Sequence, residues 1–299
     1  MVDNTRGILA MLASVVVFIF NDALIKLAAE TIPAAQVVGL RGVFATGWCA
    51  LALLATGGWR HARGVANPVV FVRGLLEALA ALTYLTALAH TPFAIATAVN
   101  LSTPLFLTLL AILILKESVR WRRWAAIVLG FAGVLMVIQP RPGDINAWTW
   151  LVVFASMVGA FRDILGRYVP ARVPVGVMSL WSAASVGIVG LAVTLVHGWQ
   201  PMGWRELGLL VAASFLLAAG YQFLMISLRS GAELSVTGSF RYASVLWALG
   251  IGYVVWGDVP NLLALAGIVV LVIAGVYILH RERVRGTPQP PPSGAVSSL

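Results

Sequence analysis

The stretch GILAMLASVVVFIFNDALIKLAA, residues 7–29, sets the terms on which the rest of the chain is read. It is apolar for a full membrane crossing, because ~30 Å of hydrocarbon needs roughly 20 residues at 1.5 Å each. It also carries Asn21, Asp22 and Lys26 inside that run. A secretory leader has a short apolar core and a small-residue cleavage site. This stretch is longer, polar near its end and preceded only by Arg6, so it reads as a retained first helix.

Working outward, breaks at Gly, Pro and charge clusters divide the 299 residues into ten hydrophobic segments: 7–29, 33–56, 68–90, 93–115, 122–139, 146–168, 174–196, 204–228, 232–256 and 260–280. The composition agrees, with 60% hydrophobic and 10% charged residues and a mean hydropathy of +0.94. Soluble domains carry about 25% charge. Ten spans leave no room for a separate soluble catalytic head. Pro33, Pro92, Pro174 and Pro260 stand at or beside segment starts, where a missing N–H costs nothing. Trp59, Trp121, Trp124, Trp148, Trp150, Trp199, Trp204 and Trp256 fall near segment ends, where an indole keeps its ring in the interface and its N–H wet. The prediction is an all-α integral membrane protein with ten transmembrane helices.

The net charge of +9 belongs to orientation rather than to nucleic acid, since the basic residues are scattered among apolar runs. With the N-terminus in the cytoplasm, inside segments hold Arg6, Arg60, Arg63, Arg73, Lys116, Arg120, Arg122, Arg123, Arg167, Arg172, Arg229, Arg281, Arg283 and Arg285, whereas outside loops hold Arg141 and Arg205. That bias places both termini in the cytoplasm of a bacterial-type inner membrane. The Pro288–Pro292 run marks residues 282–299 as a disordered tail. Cys49 is the only cysteine, and His61, His90, His197 and His280 share no metal spacing; no metal or cofactor is expected.

Compared with itself, the chain repeats. Asp22 and Asp163, Lys26 and Arg167, Pro33 and Pro174, and Glu117 and Asp258 are each 141 residues apart, and NDALIK at 21–26 lies over RDILGR at 162–167. This spacing equals five spans. Five is odd, so the second half enters the membrane the other way up. The expected organisation is residues 1–6 as a cytoplasmic N-terminus, 7–140 as one five-helix repeat and 141–281 as a second, inverted one. Inverted halves exchange shapes to open a central site to either side of the membrane, the mechanics of alternating access.

The motifs LSTPLF at 101–106, the K-E of Lys116-Glu117, RRW at 122–124 and GFAGVL at 130–135 have echoes in WGD at 256–258 and AGV at 274–276. On these the chain resembles the EamA-type ten-helix carriers of the drug/metabolite transporter superfamily over residues 7–280, and among them exporters of aromatic and other amino acids. The second half has no proline matching Pro104. The resemblance implies a central cavity lined by spans one, three, four, six, eight and nine.

Ionisable groups at membrane depth are costly and face a bundle interior or a watered cavity. Glu77 falls near the middle of span three, Arg241 near the middle of span nine, Asn100 in span four, and Asp22 is deeper than Lys26 in span one. Thr237, Arg241, Ser244 and Ala248 form one helical stripe; Ala96, Asn100, Thr103 and Leu107 form another. The resemblance implies that the stripes face each other across the cavity. Arg241 then takes a substrate carboxylate in its planar fork, or else pairs with Glu77 to hold the bundle. Asn100 adds hydrogen bonds to substrate or between helices. Tyr84, Tyr242 and Trp247 are an apolar shelf for a side chain, or packing.

Glu77 is the candidate for proton coupling, with an ion pair to Arg73, one turn away, as its structural alternative. Asp22 with Lys26 and Asp163 with Arg167 are i, i+4 pairs in the favoured order, suited to holding gates closed. Arg41 and Arg162 receive no role. Pro104 is expected to bend span four as a hinge or a static kink.

The function expected is a secondary active or facilitative transporter. Its cargo is small amphipathic metabolites, amino acids and aromatic ones foremost, moved out of the cytoplasm. Partners are the bilayer, the small-molecule substrate and protons, with no nucleic acid; the chain is a monomer or weak oligomer. Other readings are carriage of sugars or drugs, and a membrane-embedded enzyme acting on lipid. The chain has no H-E-x-x-H, G-x-S-x-G or phosphate-binding G-x-x-x-x-G-K-[ST] motif.

Overall fold

The computed structural model describes residues 4–59, 64, 66–115, 121–139, 146–166, 168–170, 173–229 and 240–284. Its helices are α1 (Asn4–Ala28), α2 (Ala34–Ala55), α3 (Pro68–Ala89), α4 (Phe93–Asn100), α5 (Thr103–Leu115), α6 (Trp121–Ile138), α7 (Ala147–Gly166), α8 (Val175–His197), α9 (Trp204–Arg229), α10 (Ser244–Trp256) and α11 (Leu262–Val284). A 3-10 turn, Phe240–Ala243, leads into α10. Each of the ten expected segments holds a described helix, in sequence order, with α4 and α5 sharing the fourth; residues 232–239 of the ninth lie outside the described residues. Seven are long and apolar enough to cross a membrane; Ile127–Val137, Ser244–Trp256 and Leu262–Tyr277 are shorter apolar helices in the remaining places.

The prolines start helices as their chemistry requires. Pro33, Pro92 and Pro174 are the extended N-cap residues of α2, α4 and α8. At α3, Pro68 opens the helix and the Asn67 side chain accepts from the Val69 and Val70 amides, satisfying two otherwise orphaned donors. Outside the bundle, the exposed large side chains are apolar: Leu195, Val196, Val254 and Leu262 are among the most open. That surface suits hydrocarbon.

Contacts between spans pair in a pattern that repeats on a shift of five spans. The packed pairs include α1 with α9, α3 with α7, α2 with α8, α6 with α11 and α4 with α10. Moving every partner by five spans turns the first pair into the second and each of the last three into itself. Likewise α3–α8 becomes α2–α9, and α5–α7 becomes the contact of α1 with α10. The tightest crossing is glycine on glycine. A Cβ on Gly42 would run into the backbone of Gly187, and one on Gly190 into the backbone of Gly39. Gly133 of α6 meets Gly267 of α11 in the same way. Small residues let backbones approach where lipid supplies no hydrophobic drive.

Span four differs from the expected bent helix. α4 ends at Asn100, Leu101 and Ser102 form a turn, and α5 starts at Thr103. Pro104 therefore sits in the first turn of α5, where its missing N–H breaks no helical bond, and the bend precedes it. The Pro104 ring lies outside the described side chains. The second half holds its own irregular turn 141 residues on, because Tyr242 follows Leu101 at that spacing within the turn before α10. Arg241 thus stands in that turn rather than in the middle of a continuous helix.

Candidate functional site

Two groups of charged side chains meet inside the bundle. The first belongs to α1, α2 and α3. Asp22 accepts a hydrogen bond from the Tyr84 hydroxyl at Oδ2 (3.2 Å), and its Oδ1 accepts from the neighbouring Asn21 Nδ2 at 2.8 Å. From α2, Arg41 interacts electrostatically with Asp22, Glu77 and the hydroxyls of Tyr84 and Tyr221. Arg41 is only 9% exposed, and its Nε has no hydrogen-bond partner among the described residues.

The second group joins α3 to α7. Arg162 Nη1 donates to Glu77 Oε1 at 2.9 Å, while its Nε and Nη2 donate to Asp163 Oδ1 at 2.9 and 2.8 Å. One guanidinium thus spans two carboxylates, in the planar fork geometry that distinguishes Arg from Lys. Arg73, expected to pair with Glu77, instead donates to Ser182 Oγ of α8 at 3.0 Å. The partner of Glu77 is an arginine 85 residues away in sequence.

The expected Asp22–Lys26 pair does not form. Lys26 Nζ turns to the end of α3, where it donates to the Leu88 carbonyl oxygen at 2.9 Å and to that of Thr91. Those carbonyls lack helical partners, so an ammonium satisfies them and suits the helix dipole as well. Lys26 Nζ also lies 5.3 Å from the centroid of the Trp256 ring, and Trp256 Nε1 donates to Glu30 Oε1 at 2.6 Å. Further links join the two halves at this end. Gln36 and the Gln200 backbone exchange two hydrogen bonds, Gln139 and Asn261 exchange two, and the Phe93 amide donates to Asp258 Oδ2. This end of the bundle is laced shut. Arg167, the expected partner of Asp163, lies outside the described residues, as does Glu117.

The stripe on span four is partly recognisable. Asn100 closes α4, and its Oδ1 accepts from Ser156 Oγ of α7 at 3.2 Å. At the two turns in spans four and nine, Ser102 and Ser244 are buried, with Oγ atoms that find no partner among the described residues. Tyr242 is buried against Gly275 of α11, whose missing Cβ makes room for the ring. Trp247 is 45% exposed, whereas Ser244 and Ala248 of the same helix are buried. Thr237 and the Arg241 side chain lie outside what is described. Arg41 and Arg162, which sequence reasoning left without a role, are both among the cations in the interior. Their signal was their depth inside apolar spans.

Comparison with known proteins fits this architecture. Residues 5–139 match the EamA-like transporter family. The chain is 26% identical to an S-adenosylmethionine uptake transporter of Rickettsia prowazekii over 93% of its length and 94% of the relative's. It is 28% identical to the pseudopaline exporter CntI of Pseudomonas aeruginosa, covering 92% and 96% of the two chains. A riboflavin transporter of Rhizobium johnstonii is 23% identical over 76% of this chain and 72% of that one. A solved crystal structure superposes with a TM-score of 0.65 at 18% identity, covering 95% of this chain and 99% of its own, which shows the fold. The chain is an all-helical integral membrane protein whose first half is similar to EamA-like transporters and whose full-length relatives are named as transporters.

Proposed function

We propose that this transporter moves amino acids and solutes built on an amino acid, aromatic ones favoured, out of the cytoplasm across the bacterial inner membrane by alternating access. The observation that carries the proposal is the meeting of opposite charges from α1, α2, α3 and α7 in the interior of an apolar bundle. Charge at that depth is costly and is kept for ions or polar solutes. A zwitterion offers both signs at once, so a site with both signs is its natural complement. The S-adenosylmethionine carried by one relative is itself an amino acid bearing an adenosyl group.

The matched turns in spans four and nine support the mechanics. Irregular backbone at depth is tolerated only where protein or a watered cavity satisfies it, and broken helices are where repeat-built carriers hold cargo and bend. The end laced by Lys26, Trp256 and Glu30 is the outer one, given cytoplasmic termini, so this conformation is closed to the outside. A carrier runs down the gradient it meets, and for a solute rich in the cytoplasm the flow is outward. Glu77, held by Arg162, serves as a structural ion pair, which makes transport facilitative rather than proton-coupled.

The test is uptake into liposomes containing purified protein, across a panel of amino acids, S-adenosylmethionine and riboflavin, with and without a pH gradient. Saturable uptake of aromatic amino acids, indifferent to the gradient, is expected. Uptake of riboflavin alone overturns the substrate class, and a rise of tenfold or so with an inward proton gradient overturns the facilitative reading.

A further inference from the structure

Among the described residues, Arg41 is an interior cation to whose guanidinium no hydrogen bond is made, whereas Arg73, whose Nε is also unpartnered, keeps one through Nη1. Arg162 is held by Glu77 and Asp163, Arg73 by Ser182, and Lys26 by the carbonyls that end α3. The acids nearest Arg41 are already engaged: Asp22 accepts from Tyr84 and Asn21, and Glu77 from Arg162. Among the described residues no hydrogen bond reaches the Arg41 guanidinium, and its Nε is fully buried as well as unpartnered. A guanidinium carries five donors and stays charged, so leaving them unmet in an apolar bundle is expensive. The residue as a whole is only 9% exposed.

We infer that Arg41 binds the carboxylate of the transported solute, and that Asp22, held by Tyr84 and Asn21, receives its ammonium group. The inference rests on the amino-acid reading above and assigns its two charged ends. The chemistry favours this pair. The planar fork matches a carboxylate bidentately. An anchored carboxylate with Tyr84 already on one oxygen is oriented, and each oxygen has further acceptor capacity for an ammonium. A solute with one charged group leaves one of the two buried partners unmatched, and such mismatch is what gives polar sites their discrimination.

The test measures binding to the full chain in detergent, by competition with labelled L-phenylalanine and by thermal shift. The probes are L-phenylalanine, phenethylamine, which lacks the carboxylate, and 3-phenylpropanoate, which lacks the ammonium. The wild type should prefer phenylalanine to either analogue by about 10- to 100-fold, the scale of one charge-assisted hydrogen-bonded contact. Arg41→Gln should bind phenylalanine no better than phenethylamine, and Asp22→Asn should bind it no better than 3-phenylpropanoate. Arg41→Lys keeps the charge without the fork; it should fold, and lose affinity for phenylalanine while still favouring it over phenethylamine. If Arg41→Gln or Arg41→Lys folds and keeps the full wild-type ratios, the inference is overturned while the amino-acid reading stands. If the wild type binds phenylalanine no better than its analogues, the amino-acid reading itself fails.

Discussion

The two interior charge groups use similar residues to opposite ends. At Glu77, the carboxylate meets an arginine fork at 2.9 Å, and that fork is closed by a second carboxylate on Asp163. At Asp22, a carboxylate is fixed by a tyrosine and an asparagine, while the arginine facing it from α2 is left without hydrogen bonds among the described residues. The first group is satisfied and therefore structural: it ties α3 of one half to α7 of the other. The second is oriented but incomplete. Where donors and acceptors close on one another, a buried network specifies the fold; where they are held apart, it is ready for a ligand.

The largest effect should come from breaking the closed group on one side only. Arg162→Gln strands Glu77 in the bundle, and removing one member of a buried pair costs about 3 kcal/mol or more. Thermal unfolding in detergent should show a marked loss of stability, most of it recovered when Glu77→Gln is added. If the double variant is no more stable than the single, the pair is not a self-contained unit. Next in size, Arg41→Gln should leave unfolding nearly unchanged or raise the midpoint, since it removes an unmet buried cation, yet lower kcat/KM for phenylalanine transport about 10- to 100-fold. Equal losses of stability and transport would make Arg41 another structural cation.

Smaller still, Tyr84→Phe removes the hydroxyl that orients Asp22 at 3.2 Å. One such hydrogen bond is worth about 1 kcal/mol, so KM should rise roughly fivefold with kcat little changed. A fall in kcat alone, measured in the same liposomes, would place Tyr84 in the conformational step. The smallest effect is expected at Pro104→Ala. In the first turn of α5 the ring interrupts no hydrogen bond, so both stability and transport should stay within about twofold of wild type.

The spans were legible because hydropathy and helix punctuation are local: Pro33, Pro92 and Pro174 open helices whatever lies across the bundle. Partner choice was not, because it is settled between helices. Asp22 and Lys26 satisfy the i, i+4 rule, but carbonyls at the end of α3 compete for the ammonium and win it. Glu77 has Arg73 one turn away, yet meets Arg162 across the α3–α7 contact. The close approach of Gly39 and Gly42 to Gly190 and Gly187 is likewise settled only by the crossing of α2 and α8. Helical phase put Tyr242 and Trp247 near a stripe, but the turn before α10 resets that phase, sends one ring into α11 and leaves the other exposed.

The contrast between the closed and the open charge group is tested most directly by counterflow of labelled L-phenylalanine in liposomes bearing the wild type, Arg41→Gln, or the Glu77→Gln/Arg162→Gln double variant. Saturable counterflow is predicted for the wild type, a KM within about threefold of it for the double variant, and a loss of about 10- to 100-fold in kcat/KM for Arg41→Gln. Counterflow that survives in Arg41→Gln at wild-type KM, or that disappears in a well-folded double variant, would contradict the account.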